Sequence, residues 1–129
     1  MARGLTLDSG ALIAADKNSR RFWALWHRRV DRKTLVTVPA PALAQVWRGN
    51  SPMISRVVNT CTVEVLDEAA AKRVGELLAA SRTSDTVDAA VVAGAVERGD
   101  AIVTSDPDDI RRLVDAAGGA ARGVIVIPL

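Results

Sequence analysis

The chain has 129 residues, of which 49% are hydrophobic and 25% charged, and its formal net charge is +2. This composition predicts one globular domain spanning residues 1–129. The single cysteine, Cys61, excludes an internal disulfide, and no apolar run is long enough to span a membrane. Because the N-terminus lacks the features of a signal peptide, we expect a cytoplasmic protein.

Short β-branched runs alternate with longer segments of helical periodicity along the chain. In chain order the sequence predicts strand GLTLD, helices ALIAAD and SRRFWALWHRRVDRK, strand LVTVP, helices APALAQVWRG and SPMISRVVNT, strand CTVEVL, helices DEAAAKRVGELLAASR and VDAAVVAGAVERG, strand AIVTS, helix DPDDIRRLVDAAGG and strand GVIVIP. This alternation predicts an α/β fold. The continuously apolar strands AIV and VIVI favour a parallel sheet that is covered on both faces.

Residues with strong positional preferences predict several helix ends. Gly49 and Gly99 are expected to end helices, and Pro52 is expected in the first turn of one. Asp67 is expected to cap the helix that follows it, with Glu68 and Lys72 paired one turn apart.

Two aspartates, Asp8 and Asp106, directly follow predicted strands. Ligands of parallel α/β sheets bind beyond the carboxyl ends of the strands, so both acids are expected at the ligand-binding edge. Helix capping is the alternative explanation for each acid. Asp106 opens the helix start DPDD, Asp85 is placed to cap the following helix, and Asp88 in that helix's first turn benefits from the helix dipole.

Helix capping explains each of these acids singly, but it does not explain why all of them are expected at one edge of the sheet. Two carboxylates about 4 Å apart repel by about 4 kcal/mol at an effective dielectric constant of about 20. Such a cluster therefore needs protons or a cation, and Mg²⁺ typically takes one or two carboxylates with waters and substrate phosphates. The sequence contains no phosphate-binding glycine loop, and its one histidine, His27, lies in a basic helix.

The segments LDSGALIAA, VPAPALAQVWRG and SDTVDAAVVAGAVERGDAIVTSDPDDI, with the closing VIVI, resemble a PIN domain. The resemblance covers nearly the whole chain and is strongest to the VapC-type toxin ribonucleases of bacterial toxin–antitoxin pairs. It implies a three-layer α/β/α sandwich with a central parallel sheet of about four to five strands. It also implies an acidic pocket that binds Mg²⁺ or Mn²⁺.

The residues of the family's acidic pocket match this sequence at three of four positions. The resemblance places the metal-binding and catalytic acids at Asp8, Asp88 and Asp106. Supporting positions by the same resemblance are Ser9 and Thr104, while Asp85 and Asp109 are candidates to supply charge that the family's fourth acid would provide. The family's remaining acid is a Glu in the helix after the second strand, where this chain has Gln45 in the segment LAQV. An amide can coordinate through its oxygen but supplies no negative charge.

The resemblance implies a metal-dependent endoribonuclease that hydrolyses RNA, with tRNA or rRNA as substrates, by metal-activated water. It also implies a cognate VapB-type antitoxin and a homodimer. Candidate contacts to the RNA backbone are Arg48, Arg111 and Arg112. A helical wheel places Arg21, Arg28 and Arg32 on one face, which either binds RNA or only solvates the helix.

Two other functions are compatible with the sequence. Because Gln45 replaces an acid, the chain is alternatively a catalytically weakened RNA-binding or protein-interaction module, which would bind RNA without cutting it. A metal-dependent phosphatase would instead hydrolyse small phosphomonoesters and leave RNA intact.

Overall fold

The computed structural model describes residues 3–31 and 33–129, and Arg32 of the predicted arginine face lies outside them. The strands are β1 (Leu5–Leu7), β2 (Val36–Pro39), β3 (Thr62–Glu64), β4 (Ala101–Thr104) and β5 (Ile125–Pro128). The helices are α1 (Ser9–Asp16), α2 (Arg20–Arg29), α3 (Ala40–Val46), α4 (Pro52–Val58), α5 (Glu68–Ser81), α6 (Thr86–Arg98) and α7 (Pro107–Ala117). Within those ranges, no helix has the length and apolar character needed to cross a membrane.

The strands form one parallel sheet in the order β3-β2-β1-β4-β5. The central strand β1 pairs with β2 through Leu5 and Val36, and with β4 through Leu7 and Val103. The chain builds the sheet outward from β1 in one direction as far as β3, then returns to the other side of β1. This reversal places a switch point at the carboxyl ends of β1 and β4, where ligands of such sheets bind.

Two hydrophobic clusters cover the two faces of the sheet and confirm the predicted three-layer α/β/α arrangement. One cluster joins the sheet to α1, α2 and α4, with Phe22 and Leu12 fully buried. The other joins Ile102 of β4 to α3, α5, α6 and α7. The prediction of complete coverage is wrong for β5, where Ile125 remains 48% exposed because this strand forms an edge of the sheet.

The predicted helix signals are confirmed at four positions. The Asp67 carboxylate caps α5 by accepting from the Ala70 amide at 2.9 Å, and Lys72 pairs with Glu68 at 2.8 Å. Pro52 begins α4, and Gly99 ends α6 with a left-handed φ of 72°. That conformation favours glycine, which has no Cβ to clash.

Several helices end earlier than the sequence predicts, α4 and α7 each by two residues and α2 and α3 by more. α2 ends at Arg29 rather than at Lys33, because the Asp31 carboxylate accepts from the amides of Lys33 and Thr34, each at 2.8 Å. Such a local turn competes with helix continuation. α3 ends at Val46, since Trp47 already has an extended ψ of 131°, and Gly49 lies in the loop beyond.

A partly buried polar network is centred on the Arg98 guanidinium at the end of α6, with Thr6 and Asp100 buried and Arg98 itself partly exposed. Its Nε donates to Asp100 at 2.9 Å, a second nitrogen donates to the Thr6 hydroxyl at 3.0 Å, and the third pairs with Glu64. Thr6 in turn donates to Asp100 at 2.8 Å. The network therefore ties α6 to β1, β3 and the residue that precedes β4.

Candidate metal centre

Asp8 occupies the end of β1 and is buried, with only 3% of its surface exposed. Its Oδ1 accepts from the amide of Ala11 at 2.8 Å and so caps α1. The capping explanation is thus correct for this residue, but it does not exclude a second role. The Asp8 amide donates to the Val103 carbonyl at 3.2 Å, so the carboxylate stands directly beside the end of β4.

Asp106 follows β4 and begins α7, but it does not cap this helix with its side chain. Asp106 therefore occupies the predicted N-cap position of α7, but without a side-chain capping hydrogen bond. The residue has φ −128° and ψ 67°, and its backbone amide donates to the Thr104 hydroxyl at 2.8 Å. Thr104 thus orients the Asp106 backbone while leaving the carboxylate available.

The start of α6 brings a third acid to the same edge. Asp85 is the cap of this helix, with its Oδ1 accepting from the Asp88 amide at 3.0 Å. Asp88 lies in the first turn and is half-buried. Asp85 therefore orients the turn that presents Asp88.

Three carboxylates converge at this edge of the sheet. One oxygen from each of Asp88, Asp106 and Asp109 lies within 4.8 Å of the other two. Within the described part of the chain, Asp8 does not belong to this group of three. Asp109 completes this group, because it lies one helical turn after Asp106 on α7. We call Asp88, Asp106 and Asp109 the acid triad.

The pKa values of these carboxyl groups show that they are crowded. Burial raises the pKa of Asp88 to about 6, assisted by the charges of Asp85, Asp8, Asp106 and Asp109. Burial also raises the pKa of Asp8, although hydrogen bonds from Thr104 and the Ala11 amide oppose this, and the charge of Asp106 adds to it. Partial desolvation and then Asp109 raise the pKa of Asp106. A bound cation would relieve this repulsion.

The acid triad fits a divalent metal by the chemistry of its donors. Carboxylate oxygens are the ligands that Mg²⁺ and Mn²⁺ prefer. Asp88 and Asp109 line a cavity of about 260 Å³. Its full lining is Thr83, Ser84, Asp85, Asp88, Asp109, Arg112 and Leu113. The cavity therefore has room for a hydrated ion beside Asp88 and Asp109.

Gly10 makes the close approach of α1 to the end of β4 possible. A Cβ at this position would lie 1.8 Å from the Ser105 Oγ and 2.9 Å from the Ser105 Cβ. A larger residue in the segment LDSG would therefore push the first turn of α1 away from the loop that carries Asp106. The glycine keeps Asp8 and Asp106, which follow adjacent strands, within electrostatic reach of each other.

The comparisons with known proteins give a match in structure and not in sequence. No family model matches the chain, and no curated protein matches it. The fold matches a chain from the crystal structure of VapBC2 from Rickettsia felis bound to a DNA fragment from their promoter. The TM-score is 0.69, with 97% of this chain and 98% of that chain covered. The chain has a PIN-like fold. At 11% identity the similarity shows the fold alone.

Two of the other predicted site residues, Ser9 and Gln45, are not among the described residues that line the cavity. The Ser9 hydroxyl donates to the Ala42 carbonyl at 3.4 Å and so joins α1 to α3. Gln45 lies exposed on α3, one turn further along.

The three arginines that are predicted to contact RNA also differ in their position relative to the cavity. Arg112 lines the cavity with the acids. Arg111 is exposed on the same helix, with its guanidinium 4.0 Å from the Asp108 carboxylate. Arg48 donates to the Trp47 carbonyl at 2.8 Å in the loop after α3. Of the three, Arg112 is therefore the best placed to contact a phosphate at the acid triad.

Sequence reasoning missed the contribution of Thr83 and Ser84. Both line the cavity from the loop before α6. The only signal in the sequence was the polar run RTSDT, which predicts a loop without indicating which way it faces. The Thr83 hydroxyl lies 2.7 Å from the Ser81 hydroxyl, which ties this loop to the end of α5.

We expect ionisation of Asp88 to destabilise the metal-free protein. Its folded pKa of about 6 exceeds the ordinary 3.8, so the folded state binds more protons between these pH values. The free energy of unfolding therefore falls as pH rises through this window. The difference corresponds to about 3 kcal/mol, which solvent screening at this half-exposed position reduces to about 1 kcal/mol.

Urea unfolding in chelator from pH 4 to pH 7 measures this effect. The variant Asp88→Asn mimics the protonated acid, so its stability relative to the native chain should rise across the window. A difference between the two proteins that does not change with pH would contradict the prediction.

Proposed function

We propose that this chain is a metal-dependent endoribonuclease of the PIN type, acting in the cytoplasm as the toxin of a VapBC-type toxin–antitoxin pair. The observation that carries the proposal is the acid triad at the switch point of a PIN-like sheet, with oxygens of Asp88, Asp106 and Asp109 within 4.8 Å. The fold match to a chain of a VapBC2 complex supports it.

In this proposal some residues of the centre bind the metal, and others orient the residues that bind it. Asp88, Asp106 and Asp109 would hold Mg²⁺ or Mn²⁺, which when bound supplies an activated water and neutralises charge on the phosphate. Thr104 holds the Asp106 backbone through a 2.8 Å hydrogen bond, and Asp85 caps the turn that presents Asp88. Asp8 adds a buried negative charge behind the triad, which strengthens its attraction for a cation.

Arg112 supplies the positive charge that the reaction needs beside this acidic centre. It lines the same cavity as Asp85, Asp88 and Asp109. A guanidinium can donate two parallel hydrogen bonds to a phosphate. In our proposal Arg112 therefore orients the scissile phosphate and stabilises the charge that develops on its oxygens.

The proposal includes two protein partners. The structural neighbour comes from a VapBC complex, which supports an antitoxin as one of them. A homodimer is the second. An apolar cavity of about 470 Å³ between α3 and α4, lined by Leu43 and the exposed Trp47, supports it, since aromatic residues are enriched at interfaces.

Cleavage of labelled total tRNA and rRNA by the purified protein tests the proposed reaction. Discrete fragments are expected with Mg²⁺ or Mn²⁺ and none with chelator. RNA binding without cleavage in any metal would instead favour the weakened binding module. Turnover of phosphomonoesters with intact RNA would favour the phosphatase.

Replacing Gln45 with glutamate is expected to tighten metal binding by a few-fold. Ser9 joins α3 to the helix that Asp8 caps, and the substitution adds a negative charge one turn along α3. Calorimetric titration with Mn²⁺ measures the affinity. Because glutamine and glutamate have nearly the same shape, the native chain is the control for this variant. An unchanged affinity for Mn²⁺ would place Gln45 outside the metal centre.

A further inference from the structure

We propose that a cleft between α2 and the end of β5 binds the phosphates of the RNA strand that leads away from the acid triad. The proposal rests on the proposed function, since it extends the RNA path beyond the cleavage site. We call this the α2 cleft, and it is lined by Arg21, Ala24, Leu25, Arg28, Pro128 and Leu129.

The cleft presents two arginines from one face of α2. Its volume is about 270 Å³, with Leu25 buried at its base and Arg21 and Arg28 exposed at its sides. The two arginines are seven residues apart, which places them on the same side of α2 about two turns from each other. Seven residues of helix span about 10 Å, so the two side chains are suited to two different phosphates of one strand rather than to a single small anion.

The cleft lies at the same edge of the sheet as the acid triad. Its wall residue Pro128 pairs with Thr104 at the carboxyl end of β4, and the Leu129 amide donates to the Thr104 carbonyl at 2.8 Å. Thr104 in turn accepts from the Asp106 amide at 2.8 Å. A strand that passes over the end of β4 from the triad therefore reaches Pro128 and then the arginines.

The charge of the cleft complements RNA. Within the described residues, the ion pairs do not include Arg21 or Arg28. Their guanidinium groups are thus available to an external anion, and arginine is suited to bidentate contact with phosphate. The apolar side chains between them give a base or ribose a surface to pack on.

Binding of a labelled 20-nucleotide single-stranded RNA tests the cleft. The measurement uses the Asp88→Asn chain, so that cleavage does not consume the probe. In this background the double substitution Arg21→Gln and Arg28→Gln is expected to weaken binding about 10-fold or more. Because each phosphate contact on a single strand contributes about 0.7 to the slope of log affinity against log salt, that slope should become shallower by about 1.4.

A matched control distinguishes the loss of contacts in the cleft from the loss of two positive charges. The pair Arg20→Gln and Arg29→Gln removes the same two charges from the same helix, but neither residue lines the cleft. These substitutions are expected to change the affinity and its salt dependence only slightly. An equal loss of RNA affinity in the two double variants would overturn the proposal. It would also be overturned if polyglutamate of 20 residues displaced the RNA at equal concentration, because the cleft would then bind any polyanion.

The outcomes also distinguish this proposal from the nuclease function. If the native chain cuts RNA and the cleft variant binds as tightly as the control, the cleft proposal fails while the nuclease stands. If the native chain cuts nothing but RNA binding depends on Arg21 and Arg28, the cleft stands without the nuclease. Absence of any RNA binding would overturn both.

Discussion

Replacing Asp106 with asparagine is expected to reduce metal-dependent RNA cleavage by about 100- to 1,000-fold. The substitution removes one of three carboxylates whose oxygens lie within 4.8 Å of one another. A catalytic metal contributes several kcal/mol to a phosphodiester transition state, and each 1.36 kcal/mol is tenfold in rate. Because the Asp106 side chain does not cap α7, the fold should be retained. Initial rates under Mn²⁺ and circular dichroism measure both properties.

Asp108→Asn provides a matched control for this variant. Asp108 lies in the same first turn of α7, but its side chain is 97% exposed and it is outside the acid triad. The same change of charge and shape should therefore leave the cleavage rate within about twofold, since exposed charges interact weakly through water. Equal loss of activity in both variants would show that the total negative charge at the start of α7 matters, rather than the acid triad itself. Unchanged activity in both would place the metal centre elsewhere.

Replacing Arg98 with methionine is expected to destabilise the fold by about 2–3 kcal/mol. Arg98 joins Glu64, Thr6 and the buried Asp100, whose side chain is only 7% exposed. Removing the guanidinium leaves the Asp100 carboxylate buried with the Thr6 hydroxyl as its remaining side-chain partner. Thermal unfolding should show the midpoint lowered by about 6–10 °C for a domain of this size.

Two further variants test whether the cause is the unpaired charge. Adding Asp100→Asn to Arg98→Met removes the unpaired carboxylate charge and should recover more than half of the lost free energy of unfolding. Arg73→Met breaks an exposed pair with Glu97, at 3.3 Å, and should change stability by about 0.5 kcal/mol or less. Failure of the Asp100→Asn substitution to restore stability would attribute the loss to packing of the arginine stem instead.

The sequence predicted the order of the elements because each one carries its own local signal. Apolar runs such as AIV indicate buried strands, and Asp67, Pro52 and Gly99 mark helix ends through contacts within a few residues. The lengths of α2 and α3 were less predictable. Their ends depend on a turn at Asp31 and on an extended Trp47, which compete with helix continuation by small energies.

The acidic edge was predictable in outline because the carboxyl ends of parallel strands meet at one edge. Asp8 and Asp106 follow β1 and β4, which pair directly in the sheet. The membership of the acid triad was not predictable in this way. Asp8 turns its carboxylate to the Ala11 amide, whereas Asp109 joins Asp88 and Asp106. The meeting of Asp88 with Asp109 depends on the packing of α6 against α7, which joins residues far apart in the chain.

The sequence by itself determined the α/β class, the positions of most helix starts and the presence of acids after two strands. These depend on periodicity and capping, which act between residues close in the chain. Only the tertiary structure decided which carboxylates share a site, that Arg112 faces them, and that Arg21 and Arg28 flank Pro128. Those contacts join residues far apart in the chain, and the strand order together with helix packing sets the distances between them.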